Sequence, residues 1–297
     1  DVAPSRGLGD VYKRQVLNNR YKITEQLGNH GYKYDYKAID GKTQCMCVVS
    51  EFYMHSILVR ECGEKEIQLP HSQRLLRECE YSKGRFVESA KLAGRVCNNP
   101  NILSTYDVFC ENNTAYCVTE SVEAMDLELH IRKNGCLAED EIRYIARCLC
   151  RALDELHKKS ILHLRIVPEN ILICTDRDAY ENVKLIVDGG CWDKNTVRDM
   201  HVCTMYPGYC PPEGYGRCSE AGTWSDVYML GAVMYKMATR IRPDESTNRF
   251  IHDDTKLPHE LNPQISEKLS KIIMRAIELK RRKRYCRIAQ LMRELSK

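Results

Sequence analysis

The feature that most constrains the fold of this sequence is the stretch from Ile142 to Asp188, where a helical pattern leads into two short apolar segments. Apolar residues recur every three or four positions along one helix face: Ile142, Ile145, Leu149, Leu153 and Leu156. After this helix, residues 170–173 and 183–187 have the length and composition of strands and bracket a polar turn. This arrangement predicts that the side chains of Asn170 and Asp188 lie close together.

The composition is that of a globular protein with balanced charge. With 297 residues, 43% of them hydrophobic, the chain can bury one large or two small cores. It has 45 Lys plus Arg and 41 Asp plus Glu, and a net charge of +4 is too near balance to indicate nucleic acid. A run of about 18 apolar residues is absent, so we expect no membrane segment in this chain.

The sixteen cysteines form no zinc or redox motif. Their closest pairs are Cys45-x-Cys47 and Cys148-x-Cys150, and the sequence has no Cys-x-x-Cys. Because no signal peptide is visible and the chain is large enough not to need disulfides, we expect small core residues in a reducing cytoplasm. Residues 1–15 begin without Met and show no periodicity, so we expect a linker or a non-native segment, and the missing Met suggests a fragment.

The first part of the chain predicts an antiparallel sheet with one helix. Five segments have strand character: 21–27, 32–39, 44–49, 104–109 and 115–121. Asp40-Gly41 and Asn112-Asn113 supply turns between them. Residues 54–85 are charged and irregular, and a helix is expected from Phe86 to Leu92.

Several motifs resemble the protein kinase family. The loop His163-Leu-Arg-Ile-Val-Pro-Glu-Asn170, followed by Asp188-Gly-Gly, is similar to the family's His-Arg-Asp-x-Lys-x-x-Asn and Asp-Phe-Gly. Tyr206-Pro-Gly-Tyr-Cys-Pro-Pro-Glu213 resembles Gly-Thr-Pro-Gly-Tyr-x-Ala-Pro-Glu, and Trp224-Ser-Asp-Val-Tyr-x-Leu-Gly231 is nearly the family consensus. Asn99-Pro-Asn-Ile102 matches His-Pro-Asn-Ile.

The resemblance covers about residues 21–295, and details near residue 50 resemble a bacterial Ser/Thr kinase group. It implies an α+β, two-lobed kinase-like domain over residues 16–297. The N-lobe, about residues 16–120, would hold a five-stranded antiparallel sheet and the regulatory helix. A hinge at about 120–123 would lead to a mainly α-helical C-lobe over about 124–297, with Thr119 at the gatekeeper position.

The positions that carry phosphotransfer in the family are altered here. Aligning Asn170 with the family's metal-binding Asn places Arg165 at the catalytic Asp and Val167 at the neighbouring Lys. A guanidinium only donates hydrogen bonds, so Arg165 cannot accept the substrate's proton. Ser50 replaces the phosphate-binding Lys of the third strand, and Ser89 replaces its Glu partner. The resemblance therefore implies a kinase fold without its main catalytic charges.

Other positions keep features of a nucleotide site, so ATP and Mg²⁺ remain candidate cofactors. Asn170 and Asp188 match the family's two metal ligands. Of the three loop glycines only Gly28 is kept, with Gly31 nearby, and Lys33 falls where the with-no-lysine kinases carry a relocated phosphate-binding Lys. The adenine side would be formed by Val48, Glu120 and Val122. Alternatively, Lys33 is a solvated strand residue that pairs with Asp35, two positions along the same face.

Further positions bear on structure and regulation. The resemblance implies that Asp226 accepts hydrogen bonds from the loop backbone and that Glu213 pairs with Arg284. Leu164 replaces the Arg that receives a phosphorylated Thr, so phosphorylation of Thr196 or Thr204 would find no partner there. The run from Lys280 to Arg284 fits an acidic partner or lipid, or a solvated helix end with Arg284 turned inward.

Two functions follow as hypotheses. The first is a catalytically impaired pseudokinase that acts as a nucleotide-sensing or scaffolding module and binds a protein partner. The second is a divergent but active enzyme: a Ser/Thr protein kinase that uses the relocated Lys33, or a transferase with altered chemistry.

Overall fold

The computed structural model describes residues 15–29, 32–61, 63–96, 98–175, 183–187, 191–194, 206–215 and 221–297. The chain divides into two compact units. We call residues 1–97 with 103–122 the strand unit, and residues 98–102 with 123–297 the helical unit.

The strand unit is built on a six-stranded antiparallel sheet of order β1-β2-β3-β4-β6-β5. Its strands are β1 Val16–Leu17, β2 Tyr21–Asn29, β3 Lys33–Asp40, β4 Met46–Phe52, β5 Thr105–Glu111 and β6 Thr114–Glu120. The five predicted strands are confirmed. The sheet has six strands and not the expected five. The additional strand, β1, pairs with β2 at the sheet edge, and its two residues are too few to show a strand period in the sequence.

The two predicted turns differ in length. Asn112 and Asn113 have φ of 54° and 63°, and they connect β5 to β6 in the two-residue turn that asparagine favours. After Asp40 the connection is longer and runs through Gln44, whose φ is 60°. The Asp40 carboxylate holds this turn by accepting from Lys42 N and Thr43 Oγ1, both at 2.9 Å.

Helix α1, Gln73–Gly94, is much longer than the sequence predicts. Its second half is buried through Phe86, Ser89 and neighbouring residues, whereas most of its first two turns are exposed. An exposed stretch carries no apolar stripe, so residues 73–85 looked irregular although their Leu, Arg and Glu residues favour a helix. The prediction of irregular structure for 54–85 was therefore wrong from residue 73 onward.

The helical unit contains seven α-helices within its described residues: α2 Leu127–Asn134, α3 Glu139–Lys158, α4 Thr223–Thr239, α5 Ser246–Ile251, α6 Pro258–Leu261, α7 Glu267–Ala276 and α8 Ile288–Leu295. Short strands complete it: β7 Ala124–Asp126, β8 Ile161–Leu162, β9 Ile171–Cys174, β10 Val183–Leu185 and β11 Trp192–Asp193. β10, β9 and β7 form one sheet, and β11 pairs with β8. The predicted stripe of α3 is confirmed, because all five of its residues are at most 1% exposed.

Helix α4 lies at the centre of this unit. Nearly all of its residues from Ser225 to Thr239 are buried, so the helix is enclosed on almost every side. A Cβ on Gly231 would lie 2.6 Å from the Cβ of Ala276, so this glycine permits the close approach of α4 and α7. Among the described residues no helix has both the length and the apolar character needed to cross a membrane.

The described cysteines are free thiols, and most of them are buried. Burial raises the pKa of Cys47 to about 11, so its thiol stays protonated at neutral pH. These buried cysteines serve as small core residues, as the sequence predicts.

Candidate functional site

The loop 163–170 is fixed by the carboxylate of Asp226, which is 0% exposed. One oxygen, Oδ1, accepts from Leu164 N at 2.7 Å, and Oδ2 accepts from His163 N at 3.0 Å and His157 Nε2 at 2.8 Å. Burial alone would raise the pKa of Asp226, but the hydrogen bonds and charges of His157 and His163 bring it below its usual value. The predicted anchoring of the loop backbone by Asp226 is confirmed.

Asn170 closes a short 3₁₀ turn, Pro168–Asn170, and braces the loop from within. Its Nδ2 donates to Arg165 O at 2.9 Å, and its carbonyl accepts from Ile186 N at 2.9 Å. Asn170 thus contacts the chain two residues before Asp188. Asp188 lies outside the described residues, so its proximity to Asn170 stays a prediction.

Arg165, at the position of the family's catalytic base, is bound to Tyr206. Its Nε donates to Tyr206 Oη at 2.8 Å, and its guanidinium carbon lies 5.4 Å from the centre of the Tyr206 ring. Tyr206 occupies the position of Thr in the family motif Gly-Thr-Pro-Gly-Tyr-x-Ala-Pro-Glu. At the neighbouring lysine position, Val167 is 1% exposed and packs into the interior. Neither position offers a proton acceptor or an ammonium group.

Leu164 is buried in an apolar cluster with Leu162 and Trp192. It is 2% exposed and has a left-handed backbone, with φ of 54°. In the family this position carries an Arg that binds a phosphorylated Thr. Here the apolar packing of Leu164 holds the loop at this position instead. Thr196 and Thr204 lie outside the described residues.

Glu213 and Arg284 form a buried ion pair, as predicted. Arg284 donates to the two carboxylate oxygens at 2.6 and 3.0 Å, and Ser225 Oγ donates to the same carboxylate at 2.8 Å. Arg284 is 1% exposed and also donates to Leu279 O at 2.8 Å. The expectation that Arg284 turns inward is confirmed.

In the strand unit, Ser50 and Lys33 both contact Asp35. Ser50 lies opposite Asp35 in the β3–β4 register, and its hydroxyl donates to Asp35 Oδ1. Lys33 Nζ lies 3.4 Å from the same oxygen. Asp35 and Ser50 are 8% and 5% exposed, so this polar group is largely removed from water. This is the pairing of Lys33 with Asp35 that their shared strand face predicts.

The remaining predicted positions that the structure describes in the strand unit lie in its sheet, on helix α1 or at its last residue. Gly28 pairs with Asp35 in the sheet, Val48 is half-buried on β4, and Val122 is the last residue of the unit. Glu120 Oε1 accepts from Ser104 N at 2.7 Å. Ser89 is 0% exposed on α1, and Gly31 lies outside the described residues.

Sequence reasoning missed a buried ion pair between Glu51 and Arg60. Arg60 donates to the two carboxylate oxygens at 2.6 and 3.0 Å, and Tyr116 and Tyr36 donate to Glu51 at 2.6 and 3.1 Å. Burial raises the pKa of Glu51 to about 7, although both tyrosine hydrogen bonds lower it. The two-residue period of the strand places Glu51 on the same buried face as Val49. This is the one feature of the local sequence that indicates the burial of Glu51.

Comparison with known proteins agrees with this geometry. The family model for the protein kinase domain matches residues 73–295, about three quarters of the chain. This chain belongs to the protein kinase family, with an antiparallel sheet in its N-lobe and a helical C-lobe. The α+β fold inferred from the motifs is therefore confirmed.

Its relatives include bacterial Ser/Thr kinases. A probable serine/threonine-protein kinase of Clostridium acetobutylicum is 30% identical over 290 residues, 95% of this chain and 40% of the relative. PrkC of Bacillus subtilis is 27% identical over 268 residues, covering 88% of this chain and 37% of PrkC. The probable kinase PknB of Lactococcus lactis is 26% identical over 290 residues, covering 95% of this chain and 42% of PknB. The chain thus spans about two fifths of the length of these relatives.

Proposed function

We propose that this chain is a pseudokinase that acts as a scaffolding module for a protein partner. The observation that carries the proposal is the Arg165–Tyr206 pair, with its 2.8 Å hydrogen bond, in place of a catalytic carboxylate. A kinase base must accept the proton of the substrate hydroxyl, and a guanidinium has no lone pair to offer. Losing a general base alone costs about 10²- to 10⁴-fold in rate.

The strand unit offers a poor setting for nucleotide phosphate. Protein kinase domains generally use ATP and Mg²⁺, and Asn170 is a suitable oxygen ligand for the metal. The Asp35 carboxylate, however, lies beside both Ser50 and Lys33 and is largely buried. A phosphate group about 4 Å from this carboxylate would be repelled by about 4 kcal/mol at an effective dielectric constant of 20. These residues do not fit a phosphate, which favours scaffolding over nucleotide sensing.

The packing of the loop suits a module that does not cycle between active and inactive states. Leu164 is held by Leu162 and Trp192 rather than by a phosphate-dependent contact. Asp226 fixes the adjacent backbone through two hydrogen bonds, from His163 N and Leu164 N. We infer that the loop keeps one conformation without phosphorylation and presents a constant surface to a partner.

The alternative is a divergent active Ser/Thr kinase. The position of Lys33 favours it, because Lys33 Nζ and Ser50 Oγ contact the same Asp35 oxygen, so an ammonium group lies beside the usual lysine position. In that case Lys33 would serve the phosphates and Asp35 would orient it.

The test is a phosphotransfer assay with labelled ATP and Mg²⁺ or Mn²⁺, on the chain itself and on a generic basic protein substrate. We expect no transfer by the native chain. The combined variant Arg165→Asp, Tyr206→Thr, Ser50→Lys and Asp35→Val restores the family's charges and is expected to gain detectable transfer. Native activity that is lost in Asp188→Ala and in Lys33→Ala would overturn the pseudokinase proposal in favour of the alternative.

A further inference from the structure

The net positive charge of this chain comes from one short segment, Lys280–Arg287, which we call the basic turn. It contains six cationic residues and no acidic residue: Lys280, Arg281, Arg282, Lys283, Arg284 and Arg287. Outside it the chain has 39 cationic and 41 acidic side chains, a net formal charge of −2. The overall charge of +4 therefore comes entirely from this turn.

Five of these six side chains are exposed to solvent. Arg284 is buried against Glu213, and the other five residues are exposed. Within the described part of the chain, none of the five forms an ion pair. The nearest acidic residue in sequence is Glu278, which is half-buried and uses its backbone carbonyl to accept from Arg284. Among the described residues, the exposed cations of the turn thus form a surface without ion-paired carboxylates.

The backbone of the basic turn is fixed by its 3₁₀ helix, by buried residues and by a hydrogen bond. Residues Arg281–Lys283 form a 3₁₀ helix, and the buried Arg284 and Tyr285 follow at once. Thr223 Oγ1 donates to Cys286 O at 2.8 Å. Because its backbone is fixed, the turn loses little conformational entropy when its side chains meet a partner.

The geometry favours an extended anionic surface over a single anion. Successive residues of a 3₁₀ helix point about 120° apart, so Arg281, Arg282 and Lys283 face three different directions and do not converge on one phosphate. Peptide recognition uses a groove or a free strand edge, and this turn supplies neither. Five cations on one turn are also few for nucleic acid, whose specific interfaces cover at least about 600 Å² of strongly basic protein surface.

An aromatic side chain at the same surface points to lipid. The Arg281 guanidinium carbon lies 5.7 Å from the centre of the Trp224 ring, and Trp224 is half-buried. Tryptophan beside arginine and lysine is typical of protein surfaces at the membrane–water interface. Clusters of four to eight cationic residues are the usual recognition element for anionic lipids.

We propose that the basic turn binds the surface of an anionic phospholipid membrane. The contact is peripheral and electrostatic: the exposed cations meet lipid phosphates and carboxylates, and the Trp224 ring lies at headgroup level. The proposal uses no residue of the loop 163–170, so it does not depend on whether the chain transfers phosphate.

The test is cosedimentation with vesicles of phosphatidylcholine alone or with about 30% phosphatidylserine, at about 0.1 M salt. We expect binding only to the anionic vesicles, and loss of binding at about 0.5 M salt, where charges are screened. The variant Arg281→Gln, Arg282→Gln, Lys283→Gln should bind about 100-fold more weakly, because each cation near an anionic membrane contributes about fivefold.

The matched control removes three exposed cations elsewhere in the helical unit, Lys133, Arg240 and Lys256, by the same change to Gln. It lowers the net charge equally and should keep most of the binding. Equal loss in both variants would overturn the proposal, as would binding to uncharged vesicles or no binding at all. A duplex DNA probe that binds at about 0.15 M salt through the basic turn, without vesicle binding, would also overturn it. Unchanged melting temperatures would show that both variants fold.

Discussion

Replacing Arg60 by Met should destabilise the strand unit, because it leaves the Glu51 carboxylate buried without its counter-charge. The Glu51 and Arg60 side chains are 0% and 2% exposed, and two hydrogen bonds of 2.6 and 3.0 Å join them. Met matches much of the length and apolar character of the arginine stem. The change therefore removes mainly charge and hydrogen bonds.

The magnitude follows from two independent routes. Opposite charges about 4 Å apart attract by about 4 kcal/mol at an effective dielectric constant of 20. Independently, removing one partner of a buried ion pair typically costs about 3–5 kcal/mol, because it leaves an uncompensated charge in the interior. We therefore expect a loss of at least about 3 kcal/mol at pH 8. That corresponds to a melting temperature about 6–12 °C lower.

The pH dependence provides the sharper assay. Burial already raises the pKa of Glu51 to about 7 in the native protein, and loss of the Arg60 charge raises it further, so in a window that opens at about pH 4.5 and extends beyond pH 7 the folded variant binds more protons than its unfolded state. Stability must then fall as the pH rises through this window. Thermal unfolding followed by circular dichroism should show Arg60→Met nearer to the native protein at pH 5 than at pH 8.

Two comparisons make this reasoning refutable. The double variant Glu51→Gln, Arg60→Met removes both charges and should recover part of the lost stability. Arg132→Met breaks an exposed i,i+4 pair with Glu128, with Arg132 72% exposed, and should cost less than 1 kcal/mol. If Arg60→Met were no more destabilising than Arg132→Met at pH 8, the assignment of Glu51 as a charged, buried partner would fail.

Two further perturbations concern the helical unit. Asp226→Asn should cost roughly 2–3 kcal/mol at pH 7, because the charged acceptor of three hydrogen bonds is lost. The pKa of Asp226 lies below its unfolded value, so its contribution disappears as the pH falls below about 4. Urea titrations should therefore show the native and variant stabilities converging in acid, and a constant gap would contradict this account. Gly208→Ala should destabilise by at least about 1–2 kcal/mol, because φ is +84° and the new Cβ would meet the Pro243 carbonyl oxygen. Gly84→Ala, an exposed helix position with open space around its Cβ, is the control and should not destabilise in the same thermal unfolding assay.

The sequence by itself determined the elements and contacts that follow from local pattern. The stripe of α3 and the β5–β6 hairpin are set by the helical period and by the tolerance of asparagine for positive φ. The anchoring by Asp226 and the Glu213–Arg284 pair were predictable because they belong to motifs whose backbone context is fixed. The first half of α1 escaped prediction because an exposed helix has no apolar stripe.

Only the tertiary structure decided how the unusual charges are used. Arg165 with Tyr206, Ser50 with Asp35, and Glu51 with Arg60 each join groups far apart in the sequence, whose distance depends on strand register or on the path of a loop. Local periodicity specifies which face a side chain occupies, but not which distant partner lies opposite it. The altered catalytic positions were therefore readable from the sequence, whereas the contacts that hold the replacing residues in place required the fold.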